Sequence, residues 1–247
     1  MHCKTVENSI KTSVVKVYGI TQDPETKNYM MVMQYAKNGS LRNYLDKNYD
    51  KLNWKTKLYD LLNISFGLSR IHKKELIHRD LYIGNILKFP NFVSITDMGL
   101  CKPTDYNEME NAKNSTYGVL PYVAPEILRG QNFTKAADIY SFGLRPRFSN
   151  IKVPQLIVHL IKRCLDANPL NRPKVEEIYD ILYVLSFRFR DQLQKQIIKA
   201  EEINNSLPTS KQNDNIISEK FSESLQIDIS QLIIKGNSGD ICSSSIS

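Results

Sequence analysis

The sequence predicts an α+β fold in which a β-hairpin precedes a mainly helical body. Two observations carry this expectation. Near the start, two β-rich strings, Val14 to Ile20 (VVKVYGI) and Tyr29 to Tyr35 (YMMVMQY), flank the polar, Pro-containing turn TQDPETKN. Later, apolar residues return at helical spacing: Leu61, Ile64, Leu68 and Ile71, then Val153 to Leu165, then Val175, Ile178, Ile181, Leu182 and Leu185.

Each element follows from local chemistry. Asn38-Gly39-Ser40 breaks the second strand, and Ser40 is placed to cap a helix over Leu41 to Lys47. Trp54 to His72 reads as a long helix. Asn85 to Phe89 and Phe92 to Thr96 read as two short strands joined at Pro90-Asn91. The polar run Lys102 to Thr116 exceeds an ordinary connection, which marks it as functional or mobile. Pro125 and Pro173 each begin a further helix, and Pro154 is a first-turn residue of another. The last helix is expected to continue to about Ile203. Beyond Asn204 the Ser-, Asn-, Lys- and Asp-rich composition predicts disorder.

Composition excludes several classes. No apolar run reaches the ~20 residues that cross a bilayer, and MHCKTVENSI lacks the apolar stretch of a secretory signal. Cys3, Cys101, Cys164 and Cys242 form no zinc spacing and read as reduced cytoplasmic thiols. The net charge of +7 comes from dispersed lysines without a nucleic-acid-binding motif, so a solvated basic surface is expected. The expectation is a cytoplasmic monomer with a protein partner, and with neither nucleic acid nor membrane.

The chemistry is concentrated in a few motifs. His78 to Asn85 carries the spacing H-R-D-L-x-x-x-N; Asp97-Met98-Gly99, Ala124-Pro125-Glu126, Asp138 to Gly143 and Arg172 follow in that order. An Asp-x-Gly turn alone ends many strands, but the ordered set resembles the protein kinases, closest to their tyrosine-kinase-like group, over roughly Lys4 to Leu185. The resemblance implies a kinase-like fold, mainly the helical C-terminal lobe with a remnant hairpin of the N-terminal lobe. It implies phosphoryl transfer from ATP with Mg²⁺ to a Ser, Thr or Tyr hydroxyl.

Residue by residue, Asp80 is then the catalytic base, with Arg79 beside it on the catalytic loop. Asn85 and Asp97 are the metal and nucleotide ligands. Met33 is the gatekeeper, Gln34, Tyr35 and Ala36 the adenine hinge, and Leu87 the apolar floor; Met33 and Leu87 read equally well as core. Asp138 would hydrogen-bond the catalytic-loop backbone, and Glu126 would pair with Arg172. Met98 replaces the usual Phe as a flexible apolar filler. Tyr82 stands where Ser/Thr kinases carry Lys. Ser115, Thr116 and Tyr117 are hydroxyls open to activating phosphorylation.

The pattern also has gaps. No Gly-rich turn, ATP-binding Lys strand or helix Glu precedes the hairpin; Gly19 is the first glycine. Lys16 mimics the Lys strand but is followed by a turn, so it reads as a surface residue. Pro146 interrupts the helix that starts near Lys135, which implies that about two helices are missing after Gly143. The expected division is 1–36 (remnant N-terminal lobe), 37–190 (C-terminal lobe, shortened near 143–146), 191–203 (helical extension) and 204–247 (disordered tail). A phosphotransferase, a pseudokinase-like binding module and a non-functional fragment all remain open on this reading.

Overall fold

The structure, a computed structural model, describes residues 13–106, 118–144, 154–187, 195 and 198. Its first element is the expected antiparallel hairpin, β1 (Val17–Gln22) with β2 (Tyr29–Met33), in register at Val17↔Met33, Ile20↔Met31 and Gln22↔Tyr29. Asp23 closes the turn by accepting from the Glu25 N–H at 2.9 Å and the Thr26 hydroxyl at 2.8 Å, and Lys27 takes a left-handed φ of 59°. β1 starts later than the sequence suggests. Val14 is drawn instead into a parallel bridge with Ile95, and Val15 N–H donates to the Ile95 carbonyl at 2.9 Å.

The helical body follows. Ser40 Oγ accepts from Asn43 N–H at 3.2 Å and caps α1 (Leu41–Asn48) as its residue type predicts. Asn53 caps α2 (Trp54–His72), whose bounds coincide with the sequence reading. A left-handed Glu75 turns the chain into β3 (Leu76–Ile77), which pairs with β6 (Lys102–Pro103). Between them lies a ribbon of β4 (Ile86–Lys88) and β5 (Val93–Ile95), closed by stacked Phe89 and Phe92 rings 4.6 Å apart. Then come α3 (Pro125–Leu128), α4 (Lys135–Gly143), α5 (Gln155–Cys164) and α6 (Val175–Phe187). Pro154 stands at the N-cap of α5, one residue before the first turn assigned to it.

The core forms where α2 meets α6 and the ribbon. Ile64, Leu68 and Ile71 of α2 are buried, as are Val175, Ile178, Ile181, Leu182 and Leu185 of α6. Gly67 is required here: a Cβ at this position would stand 2.5 Å from the Ser13 carbonyl, whose strand also accepts from Ile95 N–H at 2.8 Å. Leu61 is only half-buried. The extension to Ile203, the tail beyond Asn204 and the hydroxyls Ser115, Thr116 and Tyr117 lie outside the described residues, apart from helical Lys195 and Ile198. Among the described residues no helix is long and apolar enough to cross a membrane.

Two buried ion pairs lock the layers. Arg172 grips Glu126 through both nitrogens, Nη1 to Oε1 at 2.6 Å and Nη2 to Oε2 at 2.8 Å. Its Nε also donates to the Asp166 carbonyl at 2.9 Å. Lys88 Nζ lies 2.7 Å from both Asp60 oxygens and joins β4 to α2.

Burial raises the Glu126 carboxyl's pKa, but the bonds and charge of Arg172 outweigh it and hold the group below the usual glutamate range. A depressed folded-state pKa contributes stability above the unfolded value, lost as pH falls through the folded one. Arg172→Met is therefore expected to cost about 3–5 kcal/mol at neutral pH. Urea unfolding at stepped pH should show that deficit narrowing once the medium drops below the ordinary glutamate pKa. In the same assay Leu68→Ala, at a fully buried position, is expected to cost about 2–5 kcal/mol.

Candidate active site

The loop from His78 to Asn85 is shaped by a carboxylate sixty residues away in sequence. Asp138, in the first turn of α4 and 1% exposed, accepts from His78 N–H at 2.8 Å and Arg79 N–H at 2.9 Å. Its Oδ2 also lies 2.9 Å from His72 Nε2, at the end of α2. Arg79 takes a left-handed φ of 72°. For a residue other than glycine that conformation costs about 1–3 kcal/mol, which these charge-assisted bonds offset.

His78 fixes the next step. Asp80 N–H donates to its Nδ1 at 3.3 Å, so Nε2 carries the ring proton and donates to the Thr96 carbonyl at 3.1 Å. One buried imidazole thus ties the loop to the end of β5.

Asp80 and Asn85 are in direct contact. Asn85 Nδ2 donates to the Asp80 carbonyl at 3.0 Å and to its Oδ2 at 2.8 Å. The other carboxylate oxygen, Oδ1, has no hydrogen-bond donor among the described residues and faces Gly118, where an added Cβ would stand 3.6 Å away. Asn85 O accepts from Thr96 N–H at 2.9 Å, which sets Asp97 one residue from this backbone link. Asp97 is exposed and left-handed (φ 57°), with Oδ1 only loosely bonded to Gly99 N–H at 3.4 Å.

Arg79's guanidinium lies 4.4 Å from the Phe133 ring centroid. Leu87 is half-buried and bridged to Ser40. Gln34 N–H is taken by the Lys16 carbonyl at 2.9 Å, and Tyr35 is 82% exposed. The Gln34 carbonyl and the Ala36 N–H have no partner among the described residues, so an acceptor and a donor stand two residues apart. Met33 is not core: it is 44% exposed, because no described element covers β2. Lys16 is a surface residue, as its sequence context predicts, with its amine 5.5 Å over the Tyr18 ring.

Sequence reasoning missed the Asp60–Lys88 pair and the contact of Arg42 with Tyr82. For the first a signal existed: a lysine between Leu87 and Phe89 in an otherwise apolar strand needs a buried partner. Arg42 carried no comparable mark.

Against known proteins, residues 2–146 match the family model for protein tyrosine and serine/threonine kinases. A probable serine/threonine-protein kinase of Dictyostelium discoideum is 26% identical over 70% of this chain and 21% of its own length. A second from that organism, roco5, is 32% identical over 53% of the chain and 5% of its own length. A serine/threonine-protein kinase-like protein of Arabidopsis thaliana is 32% identical over 53% and 18%. The chain therefore spans about a fifth or less of the length of these relatives. The chain belongs to the protein tyrosine and serine/threonine kinase family.

Proposed function

We propose that this chain carries out Mg²⁺- and ATP-dependent phosphoryl transfer to a protein serine or threonine hydroxyl, with Asp80 as the base. The carrying observation is the split use of the Asp80 carboxylate. Asn85 fixes Oδ2, while Oδ1 faces Gly118 with no donor among the described residues. An acceptor hydroxyl placed there donates its proton to Oδ1 as its oxygen attacks.

The residues present fit part of the nucleotide–metal group. Asn85 Oδ1 and the Asp97 carboxylate are hard oxygen donors of the type Mg²⁺ takes. The Gln34 carbonyl and Ala36 N–H match the donor–acceptor edge of adenine, with Leu87 as the apolar floor. When bound, the nucleotide–metal group supplies the phosphoryl group and neutralises its charge. The phosphates find no cation in Lys16, which lies over Tyr18. Positioning accounts for as much as ~7–11 kcal/mol of such barriers, so slow turnover is expected.

That placement of Lys16 also favours a second reading, a docking module without turnover. Tyr82 in place of Lys, and Gly118-Val119-Leu120-Pro121, support membership of the tyrosine-kinase-like group. We further assign action as a cytoplasmic monomer on a protein acceptor, in line with scattered cysteines that form no metal-binding spacing.

Asp80→Asn decides between the readings in a radiolabelled phosphotransfer assay with Mg-ATP and a generic Ser/Thr protein substrate. The enzyme reading expects a weak parent signal that falls about 10²–10⁴-fold. Equal signals, with fluorescent-nucleotide binding retained, would refute catalysis and leave the docking module. Asp97→Asn is expected to weaken only the Mg²⁺-dependent part of that nucleotide binding.

A further inference from the structure

Three segments around Asp80 converge on one cation. Arg42, exposed in the first turn of α1, places its guanidinium 5.6 Å from the Tyr82 ring centroid. Its charge also acts on the Tyr122 phenol, which belongs to the short 3-10 turn Leu120–Tyr122 just before Ala124-Pro125-Glu126. The Tyr82 and Tyr122 rings lie 5.7 Å apart. One arginine thus packs on a ring of the His78–Asn85 loop that in turn packs on the Leu120–Tyr122 turn.

The guanidinium is placed but not neutralised. Among the described residues no carboxylate pairs with Arg42, whereas Arg163 and Arg172 each have one. Five N–H donors in a fixed fork suit a carboxylate, and the aromatic contacts cost few of them. On the same turn Leu120 is 67% exposed, an apolar neighbour for a bound chain.

We propose that Arg42 selects acceptor segments bearing an acidic side chain within a few residues of the hydroxyl received by Asp80. Tyr82, on whose ring the guanidinium lies, stands two residues after Asp80, with Cα atoms at most ~7 Å apart, so one short acceptor segment can meet both Asp80 and Arg42. The assignment rests on the phosphoryl-acceptor reading above and names the substrate class of that site.

Fluorescence anisotropy of the full chain with short fluorescein-labelled serine peptides tests it. One Glu is moved stepwise along the peptide on either side of the serine, and each form is compared with its Gln twin. At the spacing that reaches Arg42 the Glu form should bind about two- to fivefold tighter, the range of an exposed ion pair, and the preference should fade at high salt. Arg42→Glu should reverse it in favour of Lys, and Arg42→Gln should abolish it; matching urea midpoints verify that both variants fold. Equal binding of Glu and Gln forms at every position, or a preference unchanged in Arg42→Glu, overturns the proposal. Failure of the parent chain to bind any peptide would instead sink the acceptor reading, and this assignment with it.

Discussion

A single buried carboxylate organises the molecule's chemistry. Asp138 accepts hydrogen bonds from two consecutive backbone N–H groups of the catalytic loop and lies against a histidine at the end of α2. Without it, His78 and Arg79 would each leave a backbone donor unsatisfied in the interior, at about 1–3 kcal/mol apiece. The left-handed turn at Arg79 would also lose what holds it. The two side chains that follow, Asp80 and Asn85, inherit their positions from this anchor. A helix thus acts on the site without contributing an atom to it.

The two buried ion pairs have a different task. Glu126–Arg172 joins α3 to the turn before α6, and Asp60–Lys88 joins α2 to β4 of the ribbon. Burial pushes the Asp60 carboxyl above the usual aspartate range even with Lys88 against both oxygens. Buried pairs of this kind add little net stability over apolar packing, yet breaking one strands a charge. Their effect is to make alternative arrangements of these segments expensive. Acidic and basic partners far apart in the chain therefore specify where the loop and its supports must meet.

Much of this was legible in the residues. Local signals found the caps at Ser40, the full span of α2 and the buried face of α6, because helical periodicity and cap chemistry act within a few residues. The partners of Asp138 and Glu126 were legible only through the family resemblance, since each bond spans more than forty residues. The late start of β1 escaped because Val14 and Val15 pair with Ile95, and no local propensity reports a pairing partner eighty residues away. Met33 reads as core from its type alone; its exposure reflects what lies, or does not lie, across β2. Arg42 was invisible for the same reason, since its meaning comes from two tyrosines on other segments.

The attachment of the hairpin has a mechanical corollary. Its root is stitched to Ile95 by paired hydrogen bonds through Ser13 and Val15, and Ile95 stands two residues ahead of Asp97. Packing of Ser13 against Gly67 pins the same root to α2. Any body that grips the apolar residues the hairpin exposes therefore bears on a root that is anchored two residues from Asp97.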